Sequence, residues 1–210
     1  MTTLVLIAKE PIAGRVKTRL HPPLTLDQAA MLAAAAIDDT LAAIAALPAS
    51  RRVLLFEGER VPATAAGYEV IPQVDGPLDE RLAALFDTSE GPTILIGMDT
   101  PQLRAADLAA AFAWPDDVDV WFGPASDGGY WAIGMREPRG ELIRGIPMSR
   151  DDTGARQLAR LHGADLRVGV LPTLIDVDDI ADARDVAGLA PDTAFARLLT
   201  EFDATLVRPA

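Results

Sequence analysis

The chain has no cysteine, so disulfides and thiolate metal sites are excluded, and two histidines are too few for an imidazole-built metal centre. Any metal here must use oxygen ligands. Long apolar runs are also missing. The amino-terminal run Leu4 to Ala8 is shorter than the apolar region of a signal peptide, and the alanine-rich stretch 29–37 falls well short of a bilayer span. The expectation is a soluble cytoplasmic protein. Positive charge is scarce: the formal net charge is -12 and the pI is near 4.5, which disfavours nucleic acid and anionic membranes as partners. Small anionic ligands at a local pocket remain open.

What is present suffices for one core. At 210 residues, 50% hydrophobic and 24% charged, the chain reads as a single domain over 1–210. No internal repeat, low-complexity tract or dividing linker occurs, and the Pro- and Gly-rich region 136–147 reads as a loop. Lysine is nearly absent, yet both lysines, Lys9 and Lys17, fall in AKEPIAGRVKTRL together with Arg15 and Arg19. Coding bias explains few lysines; it does not explain their clustering.

Leu4 to Ala8 is a continuous apolar run bounded by a Pro- and Gly-containing loop, as expected for a buried strand of a parallel sheet. Thr25 followed by Gln28 forms a capping-box pattern, and the Ala, Leu and Ile run from Leu26 to Leu47 predicts a long helix ended by Pro48. Further strands are predicted at Val53–Phe56, Glu69–Ile71 and Thr93–Gly97, with helices at Leu78–Phe86 and Ala105–Ala113. Val118–Phe122 and Tyr130–Met135, split by the turn GPASDGG, predict two antiparallel strands. A helix at Thr153–His162, a strand at Leu166–Leu171 and a helix beginning near Ile180 follow. Such alternation indicates a layered α/β sheet.

Ligands of open α/β sheets settle beyond the carboxyl ends of strands, where four polar clusters are found. After the first strand, Gly14 permits close backbone approach while Lys9, Arg15, Lys17 and Arg19 can neutralise phosphate oxygens; the alternative is a solvated basic loop. The segment lacks the Walker pattern and the Rossmann glycine spacing. After TILIG stands Asp99, suited to Mg2+, or alternatively an Asx turn before Thr100 and Pro101. Asp127, Gly128, Gly129 and Tyr130 make a turn that is both a hairpin signal and a space for a ligand against backbone. Asp176 and Asp178 alternate around Val177 and so point to one side; either offers a metal carboxylate, or the acids here cap the next helix.

The ordered set AKEPIAGRVKTRL, IPQVDGPLDERL, ILIGMDTPQL, GPASDGGYWAIG and IDVDDIADA resembles the DUF2064 group of the GT-A nucleotide-diphospho-sugar transferase superfamily, over nearly the whole chain. It is more distantly similar to 2-phospholactate/phosphoenolpyruvate guanylyltransferases. The resemblance implies a single-domain GT-A three-layer α/β sandwich with a mostly parallel central sheet. It implies Gly14, Arg15, Lys17 and Arg19 at nucleotide phosphates, Asp99 and Asp178 as ligands of Mg2+ or Mn2+, and Gln73 and Arg81 at the nucleotide or acceptor. Asp127, Gly128, Gly129 and Tyr130 then shape the acceptor side. The chain departs from that pattern at Asp75 to Glu80, where relatives more often carry Gly-Asp-Leu-Gly, at Met148 in place of Trp, and at Asp179 in place of Thr.

Three functions follow. The first is metal-dependent nucleotidyl transfer from an NTP to a small phosphorylated metabolite with release of pyrophosphate, Lys17 and Arg19 stabilising developing charge. Arg81, Arg136 and Arg144 are then candidates for a second cationic site. The second is glycosyl transfer from an NDP-sugar, with Asp127 as base and Tyr130 and Trp131 at a neutral acceptor. The third is a non-catalytic nucleotide-binding domain.

Overall fold

The computed structural model describes residues 1–206. Its seven strands are β1 (Thr3–Lys9), β2 (Arg51–Glu57), β3 (Glu69–Pro72), β4 (Thr93–Ile96), β5 (Val120–Pro124), β6 (Tyr130–Met135) and β7 (Val168–Val170). They form one sheet in the order β3-β2-β1-β4-β6-β5-β7. All neighbours are parallel except those of β6, which is antiparallel to both β4 and β5. The predicted mostly parallel sheet and the predicted β5–β6 hairpin are therefore both present, the hairpin with a register shift at Gly123/Pro124. After β1 the chain builds outward through β2 and β3, then returns to place β4 on the other side of β1. That reversal opens a crevice at the carboxyl ends of β1 and β4, where α/β sheets bind ligands.

Alternation along β1 assigns the two faces. Leu4, Leu6 and Ala8 pack under α1 (Leu26–Ile44), while Val5 joins the opposite layer formed by α2 (Leu78–Thr88) and α4 (Thr153–Gly163). Thr25 caps α1 as predicted: its Oγ accepts from Gln28 N at 3.1 Å and Gln28 Oε1 accepts from Thr25 N at 2.8 Å. The helix stops at Ile44, before the predicted Leu47, and a turn precedes Pro48. Both flanks of α1 are buried: Ala33, Ile37 and Leu41 face the sheet, while Ala29, Leu32 and Ala36 meet α5 (Ile180–Leu189) and α6 (Ala194–Leu206). A helix apolar on so much of its circumference belongs inside, and its small alanines let neighbours approach closely.

Two further predicted spans are shorter or broken. The expected helix Ala105–Ala113 is a one-turn α3 (Ala105–Leu108) followed by a 3-10 turn at Ala109–Phe112. The last strand covers Val168–Val170 only, at the exposed sheet edge. Helix α6 was not predicted at all, and its capping group explains why. Asp39 of α1 accepts from Ala194 N at 2.9 Å and Phe195 N at 2.8 Å, so the cap comes from a distant helix and leaves no local signature. No described helix is long and apolar enough to cross a membrane.

Candidate active site

One cavity of about 680 Å³ lies over the carboxyl ends of β1, β4 and β5 and the start of β6. It falls in the size range of small-molecule sites, roughly 300–1,000 Å³. Its lining divides by charge. At the β1–β2 end stand Lys9, Arg15 and Arg81 with one carboxylate, Glu57; at the β4–β5 end stand Asp99, Asp127, Asp176 and Asp178 with Lys17 and Arg19, and the pair Arg150 and Asp151 lines it from residues 149–151.

The phosphate-loop candidate turns sharply at Gly14, whose φ of 78° lies in the region that glycine tolerates best. Gly14 shapes the loop without lining the cavity. Lys17 is itself left-handed, at φ 46° and ψ 38°. That geometry is costly for a lysine and persists only where surrounding contacts hold it. Those contacts are visible. The side chain is only 9% exposed, its Nζ lies 2.6 Å from Asp99 Oδ1 and 3.9 Å from Asp178 Oδ1, and it donates to the carbonyl of Val177. The Asp99 contact is an ion pair that lacks hydrogen-bond directionality. Burial alone lowers the affinity of Lys17 for its proton, but Asp99, Asp176 and Asp178 together outweigh it, and the pKa is raised. Lys17 is therefore charged and turned inward. Arg19, by contrast, is 72% exposed and reaches Asp178 at 3.1 Å.

Asp127, Asp176 and Asp178 each offer an oxygen within 4.8 Å of the other two. The alternation read from the sequence does bring Asp176 and Asp178 to one side, and Asp127 completes the group from the hairpin turn. Its two readings coexist: Asp127 Oδ1 accepts from Gly129 N at 2.9 Å while the residue lines the cavity. The acidic-cap alternative is realised by the neighbouring acids. Asp179 accepts from Ala181 N and Asp182 N at the start of α5, and Asp182 accepts from Asp178 N at 3.1 Å and Asp179 N at 3.0 Å. That frees Asp176 and Asp178 for the cavity. Burial, reinforced by Asp99, pushes the Asp176 carboxyl up to about 8 despite Lys17. Three hard oxygen donors, one of them a half-buried carboxyl that a divalent charge would hold ionised, fit a cation such as Mg2+ or Mn2+. Asp99 stands outside this group of three, against Lys17.

Other predicted residues separate into those that face the cavity and those already engaged. Gln73 lines it, but its Nε2 donates to the carbonyls of Ala8 at 2.8 Å and Leu55 at 3.2 Å, and its Oε1 accepts from Arg81 at 3.1 Å. Its amide is thus fixed in orientation by β1 and β2. Arg81 pairs with Glu57 at 2.5 Å and donates to Gly76 O at 2.7 Å. That hydrogen bond holds the Glu57 carboxyl below its usual range, against the effect of burial, with Lys9 adding to the lowering.

Gly129 and Tyr130 line the cavity. Gly128 instead faces the segment before α4: at φ 89°, a β-carbon there would overlap the Asp151 carbonyl. Tyr130 packs on Phe122 with ring centroids 5.4 Å apart and points its hydroxyl at Met148 Sδ, 3.8 Å away. Burial raises its pKa, so the phenol keeps its proton. Trp131 is buried and donates to Pro172 O at 2.9 Å, leaving little ring for an acceptor to stack on. Arg136 is spent on the carbonyls of Trp114, Pro115 and Val118, and Arg144 on Glu80 and Asp87, both away from the cavity. Of the three arginines proposed for a second cationic site, only Arg81 lies there. Sequence reasoning missed Arg150, Ser149 and Asp151, which line the cavity from the loop before α4. Ser149, at φ 57°, adopts a strained backbone of the kind that collects at functional sites, but no local pattern announces it.

Comparison with solved structures gives the fold an independent measure. A candidate nucleotide-diphospho-sugar transferase from Desulfovibrio desulfuricans G20 matches with a TM-score of 0.85 at 26% identity, over 98% of this chain and 96% of that one. A nucleotidyl transferase from Methanothermobacter matches with a TM-score of 0.57 at 16% identity, over 98% and 99%. Glucosyl-3-phosphoglycerate synthase from Mycobacterium tuberculosis, solved with Mn2+, UDP and glucosyl-3-phosphoglycerate, matches with a TM-score of 0.51 at 14% identity, over 96% and 80%. No curated protein matches the sequence. The architecture is the GT-A nucleotide-diphospho-sugar transferase fold anticipated from the five motifs. A family described as an uncharacterized protein conserved in bacteria matches residues 28–150, and the chain belongs to that family, DUF2064.

Proposed function

We propose that the protein is a metal-dependent nucleotidyltransferase that joins the NMP moiety of an NTP to a small anionic metabolite. The observation that carries this reading is the two-ended cavity: unpaired cations at the β1 end and a carboxylate trio at the β4–β5 end, over the switch point of the sheet. An NTP–metal complex presents the complementary pattern, phosphates to the cations and a divalent ion to the carboxylates. Its neighbours in fold include nucleotidyl transferases, which supports the choice.

Lys9 and Arg15, which enter no ion pair among the described residues, bind and orient phosphate oxygens. Asp127, Asp176 and Asp178 would hold Mg2+ or Mn2+, which when bound supplies charge neutralisation at the phosphates. Arg150 lines the cavity beside Ser149 and offers a cation to an anionic acceptor. An acceptor phosphate oxygen attacks the α-phosphorus; the new P–O bond forms as the bond to the β-phosphate oxygen breaks, and pyrophosphate carries away the bonding pair. A preformed phosphate nucleophile needs no general base, so the protein contributes mainly orientation and charge. Glycosyl transfer is the second reading, favoured by Asp127, an exposed carboxylate at the cavity. It then serves as base for an acceptor hydroxyl.

Thermal midpoints with a panel of NTPs and NDP-sugars, each with and without Mg2+ or Mn2+, test the proposal. Metal-dependent stabilisation by one NTP, with pyrophosphate released on adding anionic acceptors, is the expected result. Stabilisation by an NDP-sugar alone turns the assignment to glycosyl transfer. Nucleotide binding indifferent to metal points to a non-catalytic domain.

A further inference from the structure

The loop after β1 carries one acid among its cations. From Lys9 to Arg19 the sequence holds four basic residues and a single carboxylate, Glu10, beside Lys9. A negative charge there opposes the binding of phosphate, so its presence needs a reason. Lys9, Arg15, Lys17 and Arg19 all line the cavity, whereas Glu10 does not.

Glu10 is engaged instead with the loop after β2. Its Oε2 accepts from Glu59 N at 2.7 Å and from Arg60 N at 3.3 Å, while its own N donates to Glu57 O at 2.7 Å and extends the β1–β2 pairing by one bond. Ile12 N then donates to Glu10 O at 2.8 Å and Arg15 N to Ile12 O at 2.9 Å. The turn that carries Arg15 thus hangs from Glu10. The Glu59 N–H holds the Glu10 carboxyl below its usual range, and the Arg60 N–H and the charges of Arg60 and Arg15 add to the lowering. Gly58 shows how close the two loops come. At φ 150° it lies against Glu10, and a β-carbon there would overlap that of Glu10. A larger residue would push the acid out of its place.

Resting on the reading of this loop as the phosphate site, we propose that Glu10 is its positioning residue. The carboxylate ties the loop after β1 to backbone N–H groups of the loop after β2 and so holds Lys9 and Arg15 at the cavity. What the site uses is the reach and the acceptor oxygen of Glu10, not its charge. The charge itself works against phosphate, and the two N–H groups and the surrounding water offset it.

Two conservative substitutions separate reach from charge. Glu10→Asp keeps the charge but falls one methylene short of the N–H groups, whereas Glu10→Gln keeps the reach and one acceptor oxygen and sheds the charge. Calorimetric titration with inorganic tripolyphosphate and Mg2+ should show Glu10→Asp binding about three- to tenfold more weakly than wild type, the effect of about one hydrogen bond. Glu10→Gln should bind as tightly as wild type or more tightly. Gly58→Ala should resemble Glu10→Asp, with ligand-free thermal midpoints of all three variants close to wild type. A purely electrostatic role predicts the reverse order, with Glu10→Asp unchanged, and that result overturns the proposal. Glu10→Gln as weak as Glu10→Asp overturns it too, as does weakening that follows a fall in the ligand-free midpoint across the variants. Should Gly58→Ala fail to fold, the two Glu10 variants decide alone. Wild type that binds no tripolyphosphate overturns the phosphate reading of the loop and this inference together, whereas the other failures bear on Glu10 only.

Discussion

The two ends of the cavity are built from the same sheet edge and carry opposite charge. At the β1–β2 end three cations meet one carboxylate; at the β4–β5 end two cations meet four, with Arg150 and Asp151 adding one charge of each sign. The cationic end is largely local: Lys9 closes β1 and Arg15 follows within the same loop, so the two unpaired cations come from one stretch of sequence, and Arg81 joins them from α2. The acidic end is assembled from the segments after two separated strands, β4 and β7, and from a hairpin turn, which contribute Asp99, the pair Asp176 and Asp178, and Asp127. A concentration of cations in a chain of net charge -12 is conspicuous in sequence, whereas four aspartates among 31 acidic residues are not. The topology makes the acidic end, by returning the chain to β4 beside β1 and running β6 backwards so that its first residues reach the same edge.

The strongest way to break the comparison is to remove a carboxylate from the trio. Asp178→Ala should lower turnover by at least about 10²-fold, in the range seen for losing one preorganised electrostatic contact. The thermal midpoint of the nucleotide-free protein should change little, because Asp178 is a partly exposed acid with only an exposed arginine and a distant lysine as partners. Retained turnover in a folded Asp178→Ala protein would remove the acidic end from the mechanism. At the cationic end, Arg15→Ala should weaken NTP binding by about 10- to 100-fold, the effect of one charge-assisted contact. Because Arg15 is exposed and unpaired, its thermal midpoint without nucleotide should stay where it is; isothermal titration with NTP reads the loss.

Asp176 sharpens the contrast, since function and stability pull it in opposite directions. Its carboxyl is pushed up to about 8, chiefly by burial and then by Asp99. The folded protein therefore holds that proton more tightly than the unfolded chain, whose aspartate titrates near 3.8. The stability tied to the protonated form is fully present below the unfolded value and is lost as pH rises from about 4 to about 8. Asp176→Asn keeps the shape and cannot ionise, so its metal-free thermal midpoint should match wild type near pH 4 and exceed it by several degrees near pH 8, about 1 kcal/mol corresponding to roughly 2–4 °C here. The same substitution should abolish stabilisation by Mn2+. Equal midpoints at both pH values would mean that the carboxyl is not strained by its surroundings.

Legibility in the sequence followed the same division. The strands, the α1 capping box and the antiparallel hairpin were readable because each is specified by neighbours in sequence, as Thr25 and Gln28 illustrate. Helix α6 was not, because its cap is Asp39 on another helix. For the site, Lys9, Arg15 and the alternation of Asp176 with Asp178 were legible, and the five ordered motifs pointed to the fold. Which aspartates converge was not, since spacing cannot show that Asp127 meets Asp176 and Asp178 while Asp99 meets Lys17. Nor could side-chain type distinguish Arg81 at the cavity from Arg136 and Arg144, whose guanidinium groups are consumed by carbonyls and carboxylates elsewhere.

The smallest expected effect bears on a residue that sequence made equal to Lys17. Arg19 sits two positions away and touches the same Asp178, at 3.1 Å, but its side chain is 72% exposed where that of Lys17 is 9% exposed. Water screens the exposed pair, and an ion pair of that kind contributes about 0–1 kcal/mol. Arg19→Ala should therefore leave chemical denaturation of the metal-free protein nearly unchanged, whereas Lys17→Ala, which leaves the buried Oδ1 of the partly exposed Asp99 without a counter-charge, should cost about 1–3 kcal/mol. Equal losses in the two variants would show that burial does not separate them and that the acidic end draws on both cations alike. A large gap would make the inward turn of Lys17 the feature that holds that end of the cavity together.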